Sequence, residues 1–241
     1  MVDINLKTLD ICTSTNDVAF KAALEGEVEG TSYLADMQTK GRGRNQNKWT
    51  SIRGNLFLST IIKPKKDKSL WHQLSIIVGF SIIQVLVDLG VNNDIIELKW
   101  PNDVLVDRKK ISGVLLEASE KFIIVGVGLN VLKIPNLETK WATTMLNNHV
   151  TSACSTHDVS LKVLNRIFSN YISWENKGLS FFKKDLNKNI SNINKKIIIK
   201  VNSTANPLYG TFLGLGDNGG LKIKNKSIIT EYLSLDSFSF V

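Results

Sequence analysis

Two short charged segments hold most of the side chains in this sequence that could do chemistry. The first is Gly41-Arg42-Gly43-Arg44, with Lys40, Lys48 and Arg53 nearby and Trp49 at its end. Glycines let a backbone wrap closely around a small anion, and fixed guanidinium groups match carboxylate or phosphate oxygens two at a time. An exposed basic hairpin, or a nucleic-acid patch with an interleaved aromatic, would share this composition. The second segment is Lys99-Trp100-Pro101-Asn102-Asp103, followed by Lys110-Ile111-Ser112-Gly113. A carboxylate such as Asp103 at a strand end can hold a hydrated Mg²⁺ beside phosphates, with Lys110 as the opposing cation. Taken singly, the same residues also spell a Pro-Asn-Asp turn with a surface lysine.

Other chemistries are excluded by what is missing. No glycine-rich loop ends in Gly-Lys-Ser/Thr before a helix, so a nucleotide site of the P-loop kind is not expected. His72, His149 and His157 have no motif partners, which argues against a Ser/His/Asp hydrolase. Cys12 and Cys154 are the only cysteines and lack metal-ligand spacing, so they read as free thiols of a reducing compartment. Chemistry therefore rests on arginine, lysine and carboxylate.

These residues need a scaffold, and 241 residues with 43% apolar and 22% charged content suffice for a buried core. The net charge of +8 comes largely from lysines scattered through the C-terminal half, which reads as a solvated surface. Ser14 or Thr13 caps a predicted helix to about Glu25, stopped by Gly26. Strands are expected at Thr31 to Met37, Asn55 to Lys63, Ile95 to Trp100, Val104 to Val106, Ile111 to Ser119 and Phe122 to Val131. A hairpin turns at Asp107 to Lys110, and Gly126 and Gly128 mark places where a ligand or another backbone approaches closely.

The most apolar stretch, Leu74 to Gly90, is broken by Ser75, Ser81, Gln84 and Asp88. It reads as part of a buried helix over about Leu70 to Leu89, not as a membrane span. From Asp158 onward Leu161, Leu164, Ile167, Phe168 and Tyr171 fall at helical spacing as a core stripe. After the Lys/Asn-rich run Lys188 to Lys196, short strands punctuated by Asn206-Pro207, Gly214 to Gly220 and Asn225 suit a small closed barrel. The start, MVDINLKTLDI, has early acids where a signal peptide needs a basic end and an apolar run, so a cytoplasmic protein is expected.

The order of the motifs resembles the biotin–protein ligases. Ser14-Thr15-Asn16, Gln38 to Arg44 with Trp49, Lys99 to Asp103, Lys110 to Gly113 and Gly126-Val-Gly-Leu-Asn130 stand in that family's order and spacing. The resemblance implies an α+β fold. A mixed β-sheet catalytic domain with packed helices, related to class II aminoacyl-tRNA synthetases, would span 1–194, and a small SH3-like barrel 195–241. It implies that biotin and ATP form biotinyl-5′-AMP and that biotin then passes to a lysine of a carrier, such as the carrier domain of acetyl-CoA carboxylase or a related carboxylase.

By the same resemblance Ser14, Thr15 and Gln38 meet the biotin ureido ring, whose donors and acceptor suit neutral side chains with both capacities. The strands around Gly113 to Leu116 and Gly126 to Leu129 wall the thioether ring and valeryl chain. Gly41, Arg42, Arg44 and Lys110 gather about the biotin carboxylate and the ATP phosphates, and Asn102 and Asp103 lie on the nucleotide, with Asp103 supporting Mg²⁺. Trp49 and Asn130 meet the adenine. The loop Lys40 to Arg53 is expected to order over the labile anhydride, with Arg44 helping to retain it.

Two departures stand out. The Ser14 motif lies almost at the start, so the winged helix-turn-helix of repressor-type members, and specific DNA binding with it, are not expected. Near the end, Tyr232-Leu-Ser-Leu-Asp236 replaces a common Gly-Glu or Gly-Asp pair. Lipoate–protein ligases share the two-step adenylation logic, but their Arg-Arg-x-Ser-Gly-Gly-Gly loop is absent and GRGR stands there instead. A nucleic-acid-binding module is the reading of a different class. Family members include monomers and homodimers.

Overall fold

The computed structural model describes residues 2–134, 142–200, 207–235 and 237–240. Asn206 and Asp236, singled out in the sequence, lie outside the described residues. The chain divides into two compact units, Met1–Asn176 and Lys177–Val241.

The first unit runs β1 (Asn5–Cys12), α1 (Thr15–Leu24), β2 (Thr31–Gln38), β3 (Leu56–Ile62), α2 (Leu74–Asp88), β4 (Ile96–Lys99), β5 (Asp103–Val106), β6 (Lys109–Ala118), β7 (Ile123–Leu129) and α3 (Thr156–Lys177). Its seven strands form one sheet in the order β1-β2-β3-β7-β6-β5-β4. β1 and β2 are parallel and joined through α1, while every other pair is antiparallel, so the sheet is mixed as expected. Strand β1 has no counterpart in the sequence reading. It is an edge strand, half exposed along most of its length, so its residues show no apolar/polar alternation.

Helix α1 lays Ala19, Ala22 and Ala23 on Tyr33, Ile61, Phe122 and Ile124. Small side chains there let the helix lie close to the sheet. Gly26, at φ 104°, ends it in the left-handed region that favours glycine. Ser14 stands at the N-cap, but its side chain makes no capping bond. The orphan N–H of Thr15 goes instead to Gln38 Oε1, at 2.8 Å.

Helix α2 and the 3₁₀ turn before it are long and apolar enough to cross a membrane by length and composition, but 78% of the apolar window is buried inside the unit. The polar residues that interrupt it each have a specific partner. Ser75 donates to the Pro101 carbonyl, Ser81 to its own helix at Ile77, and Asp88 pairs with Arg166 of α3. The Asn170 amide of α3 donates to Ser81 Oγ at 2.9 Å and to Gln84 Oε1 at 2.7 Å. Ser81, Gln84 and Asp88 are thus the pins that register α3 on α2. Of the stripe read along α3, Leu164, Ile167, Phe168 and Tyr171 are buried, but Leu161 is 36% exposed and Val159, Val163 and Trp174 take core positions instead. The helix begins at Thr156, ahead of the expected Asp158, and the buried row falls one step round from Leu161.

The β5–β6 turn is tighter than read from the sequence. Asp107 and Arg108, at φ 51° and 58°, complete it, a left-handed pair that suits the twist of a two-residue hairpin. Lys109 and Lys110 therefore belong to strand β6.

The second unit holds α4 (Lys183–Leu186), β8 (Lys196–Lys200), β9 (Leu208–Leu215), β10 (Leu221–Asn225), β11 (Ile228–Tyr232) and β12 (Ser237–Phe240). The strands form an antiparallel sheet in the order β11-β10-β9-β8-β12, consistent with an SH3-like domain. Besides residues 195–241, this unit includes the turns from Lys177 onward, where Lys183 pairs with Asp217 at 2.5 Å.

Candidate active site

Parallel strands β1 and β2 end side by side, Cys12 opposite Gln38. The ladder continues one step into the loops, through Thr39 N to Cys12 O and Lys40 N to Thr13 O. This puts the start of α1, the end of β2 and the first residues of the glycine loop at one place, the carboxyl ends of parallel strands, where open α/β sheets commonly bind ligands.

The adjoining sheet face is cut away by glycine. Residues paired across neighbouring strands share a face, and one row runs Lys99, Asp103, Gly113, Gly128 across β4, β5, β6 and β7. A second row runs Leu115, Gly126, Ser59. The indole of Trp49 lies on the first row, so a Cβ at Gly128 would be 2.5 Å from the ring and one at Gly113 would be 3.1 Å away. A Cβ at Gly126 would be 2.2 Å from Asn16 Oδ1. The two β7 glycines noted in the sequence are where side chains approach closely.

A buried polar network surrounds the second row. Gln38 Oε1 accepts from the Thr15 N–H at 2.8 Å and from the Thr15 hydroxyl at 3.1 Å. Ser59 Oγ lies 2.7 Å from Thr15 Oγ1 and 2.6 Å from Asn16 Oδ1. With the Thr15 proton directed to Gln38, the single Ser59 proton is shared between two acceptors, Thr15 Oγ1 and Asn16 Oδ1. Asn16 Nδ2 donates to Glu117 Oε2 at 2.6 Å, and Gln38 Nε2 to Ser51 Oγ at 3.3 Å. Ser14, also buried, adjoins this set in the chain. Asn16, Ser51, Ser59 and Glu117 were not among the candidates. Asn16 was visible as the third member of its motif, and Ser59 as a hydroxyl inside the apolar strand Leu56–Ile62.

The cations sort into two groups. Arg44 Nη1 reaches Asn102 Oδ1 at 3.3 Å, which joins the glycine loop to the Asn102–Asp103 turn. Asn102 is itself fixed through Nδ2 to the Val114 carbonyl. Lys110 Nζ stands 2.7 Å from Asp103 Oδ1 and 5.3 Å from the Trp49 ring centroid. The ammonium lies off the hydrogen-bonding direction, so this buried oxygen has an ionic neighbour but no directed donor. Burial pushes the Lys99 ammonium below the usual lysine range; Asp103 opposes the shift and Lys110 adds to it.

Arg42 is placed differently. It makes a two-pronged pair with Asp17, at 2.6 and 2.9 Å, and reaches Glu117 at 3.1 and 3.2 Å. Arg53, at the end of the loop, pairs with Asp10 and Asp36. The loop also closes on itself, with Trp49 N bonded to Gly41 O and Gly43 N to Asn47 O. The loop expected to order over the anhydride thus already has several of its charges paired within the chain. Gly41 sits under Trp49, where a Cβ would be 2.5 Å from that residue's carbonyl oxygen. Asn130 is buried and holds the 142–146 segment, donating from Nδ2 to Thr144 O while its carbonyl accepts from Leu146 N. That segment in turn brackets Lys110, through Lys110 N to Ala142 O and Thr144 N to Lys110 O. His149 contacts Thr144 Oγ1 at 2.8 Å and burial lowers its affinity for a proton, in keeping with a structural role.

Among the described residues no three His, Cys, Asp or Glu side chains converge on a point that could hold a metal. A Mg²⁺ bridging phosphates needs only one or two carboxylates, because phosphate oxygens and water complete its shell. Asp103, with a buried oxygen that lacks a directed donor, fits that demand.

The arrangement can bind a small neutral group by paired hydroxyl and amide functions and gather anions a few ångströms farther along the same face. Comparison with known proteins agrees. Residues 9–130 match the pattern of the biotin/lipoate A/B protein ligase family. The bifunctional ligase/repressor BirA of Bacillus subtilis is 30% identical over 94% of this chain, which spans 71% of that protein. The biotin–[acetyl-CoA-carboxylase] ligase of Mycobacterium tuberculosis is 32% identical over 68% of this chain, and the match spans 62% of its length. The biotin protein ligase of Aquifex aeolicus in complex with biotin and ATP superposes with a TM-score of 0.83 at 33% identity, covering 98% of this chain and 99% of that one. With the motif order, the glycine-cut sheet and these likenesses together, the chain belongs to the biotin/lipoate A/B protein ligase family, as one of its biotin–protein ligases.

Proposed function

We propose that the chain joins biotin to ATP as biotinyl-5′-AMP, releasing pyrophosphate, and then passes the biotinyl group to a carrier lysine, releasing AMP. The observation that carries this reading is the adjacency of two unlike half-sites on one sheet face. A neutral network of Thr15, Gln38, Ser59 and Asn16 lies beside Gly126, and the charged group Lys110, Asp103, Arg44 lies beside Gly113 and Gly128.

Ser14, Thr15 and Gln38 hold the ureido ring, and the glycine rows admit the bicyclic ring and its chain. A carboxylate must then approach an anionic α-phosphate. Lys110 and Arg44, fixed in advance by Asp103, Trp49 and Asn102, offset the repulsion and stabilise the charge that develops as pyrophosphate leaves. Asp103 would hold Mg²⁺, which when bound would supply positive charge to offset that of the phosphates. Trp49 and Asn102 lie on the nucleotide side, while Asn130 acts by bracing the 142–146 segment beside Lys110. In the second step a neutral carrier lysine attacks the acyl carbon, and its proton leaves with the departing AMP or to solvent.

We further propose that the carrier is the biotin-carrier domain of acetyl-CoA carboxylase or a related carboxylase, that the reaction is cytoplasmic, and that the chain works as a monomer or homodimer. The name of the M. tuberculosis relative supports the first point. A lipoate specificity is not favoured, because Gly41-Arg42-Gly43-Arg44 occupies the loop and the likenesses are to biotin ligases. Incubation with biotin, MgATP and an isolated carrier domain should add one biotinyl mass to one carrier lysine. An unmodified carrier, or equal modification with lipoate in place of biotin, would refute the reading.

A further inference from the structure

The Arg42 guanidinium ties the loop to two elements by ion pairs, the first turn of α1 at Asp17 and strand β6 at Glu117. Both carboxylates are part-exposed, with side-chain exposures of 46% and 32%, against 38% for Arg42. One cation therefore meets two anions, and loss of either anion leaves the other pair standing. Glu117 does more than pair. Its Oε2 also accepts from Asn16 Nδ2 at 2.6 Å, which orients that amide with Oδ1 toward Ser59. With Oδ1 turned toward Ser59, Asn16 offers that hydroxyl an acceptor alongside Thr15 Oγ1, so the orientation of the amide bears on where the Ser59 proton points. A chain of contacts thus runs Arg42, Glu117, Asn16, Ser59, Thr15, Gln38, from the glycine loop to the neutral half-site.

We propose that Glu117 and Asp17 are positioning residues for adenylate formation and retention: together they clamp Arg42 and hold the loop against α1, and Glu117 ties the loop to the hydroxyl network beneath the ureido ring. This rests on the biotin-ligase reading for its substrate. Neither carboxylate touches the reacting atoms; each acts through Arg42, and Glu117 also through Asn16.

The test uses the full chain as wild type, Asp17→Asn, Glu117→Gln and the double variant, all of which keep side-chain size. Amide exchange over Gly41 to Lys48 is measured without ligand, together with the melting temperature. Biotin-dependent pyrophosphate exchange gives KM for biotin and kcat, and labelling of a bystander protein reports escape of biotinyl-AMP. Each single variant should speed exchange in the loop by up to about fivefold, the range expected for loss of one part-exposed ion pair. KM for biotin and bystander labelling should rise by a similar factor in Glu117→Gln, kcat should change less, and the melting temperature should stay nearly constant. Unchanged loop exchange in the double variant would overturn the clamp, and so would a joint fall of kcat, affinity and melting temperature, which is the mark of a merely structural role. If the loop loosens as stated but wild type makes no biotinyl-AMP, the clamp stands and the ligase reading falls.

Discussion

A lysine ammonium 2.7 Å from a carboxylate and 5.3 Å from an indole centroid is held on two sides before any phosphate arrives. Its backbone is bracketed as well, by Ala142 and Thr144. Such preorganisation makes Lys110 worth more in the transition state than a surface lysine, because little reorganisation remains to be done. Lys110→Ala should lower the rate of biotinyl-AMP formation by about 10²- to 10³-fold while leaving the fold intact, the loss seen when one such donor is removed. Single-turnover adenylation with a circular-dichroism check decides it, and near-normal synthesis by a folded variant would falsify the role. At this scale the motifs made Lys110, Asp103, Arg44, Thr15 and Gln38 legible. They did not make legible the partners that hold the motifs, because Ser59 and Glu117 stand outside every motif, and only the sheet register brings them to Asn16.

At the scale of elements, the sheet works by what it leaves out. Gly113, Gly126 and Gly128 fall on one face of β6 and β7, and that absence of side chains makes room for Trp49 and Asn16. Gly126→Ala would set a methyl group 2.2 Å from the Asn16 amide oxygen, which Ser59 and Glu117 already fix. Overpacking of this kind costs about 1–3 kcal/mol. The variant should therefore lose both stability and biotin affinity, whereas Gly43→Ala, whose Cβ meets only ordinary contacts at 3.5 Å and beyond, should fold as well as wild type. Chemical denaturation and calorimetric titration with biotin read the two effects, and unaltered affinity in Gly126→Ala would show that Asn16 need not keep its place. Strands buried on both faces were legible, β3 as a β-rich run and β7 as an apolar one. Edge strand β1 was not, and neither was the displacement of Leu161 from the α3 core row, since both depend on which neighbour covers which side.

At the scale of the whole molecule, each candidate site residue from Ser14 to Asn130 belongs to the first compact unit, Met1–Asn176. So do the described tryptophans, Trp49, Trp71, Trp100 and Trp174, and all 5 tryptophans of the sequence precede residue 177, whereas Tyr209 and Tyr232 belong to the second unit. Tryptophan fluorescence therefore reports the unfolding of the unit that holds the candidate site, and far-ultraviolet dichroism reports both units. A ligand bound only by the folded state at 100 times its Kd stabilises by about 2.7 kcal/mol. For a domain of this size, each kcal/mol moves the midpoint by roughly 2–4 °C. Saturating biotin should thus raise the tryptophan-detected midpoint by about 5–11 °C, and biotin with MgATP by more, because the adenylate also engages Lys110 and Arg44. The dichroism trace should then separate into a shifted component and an unshifted one belonging to residues 177–241. A tryptophan midpoint that ignores biotin would count against the site as drawn. If a separate component belonging to residues 177–241 is resolved and itself moves with biotin, the second unit contributes to the ligand, and the assignment of all binding groups to Met1–Asn176 fails.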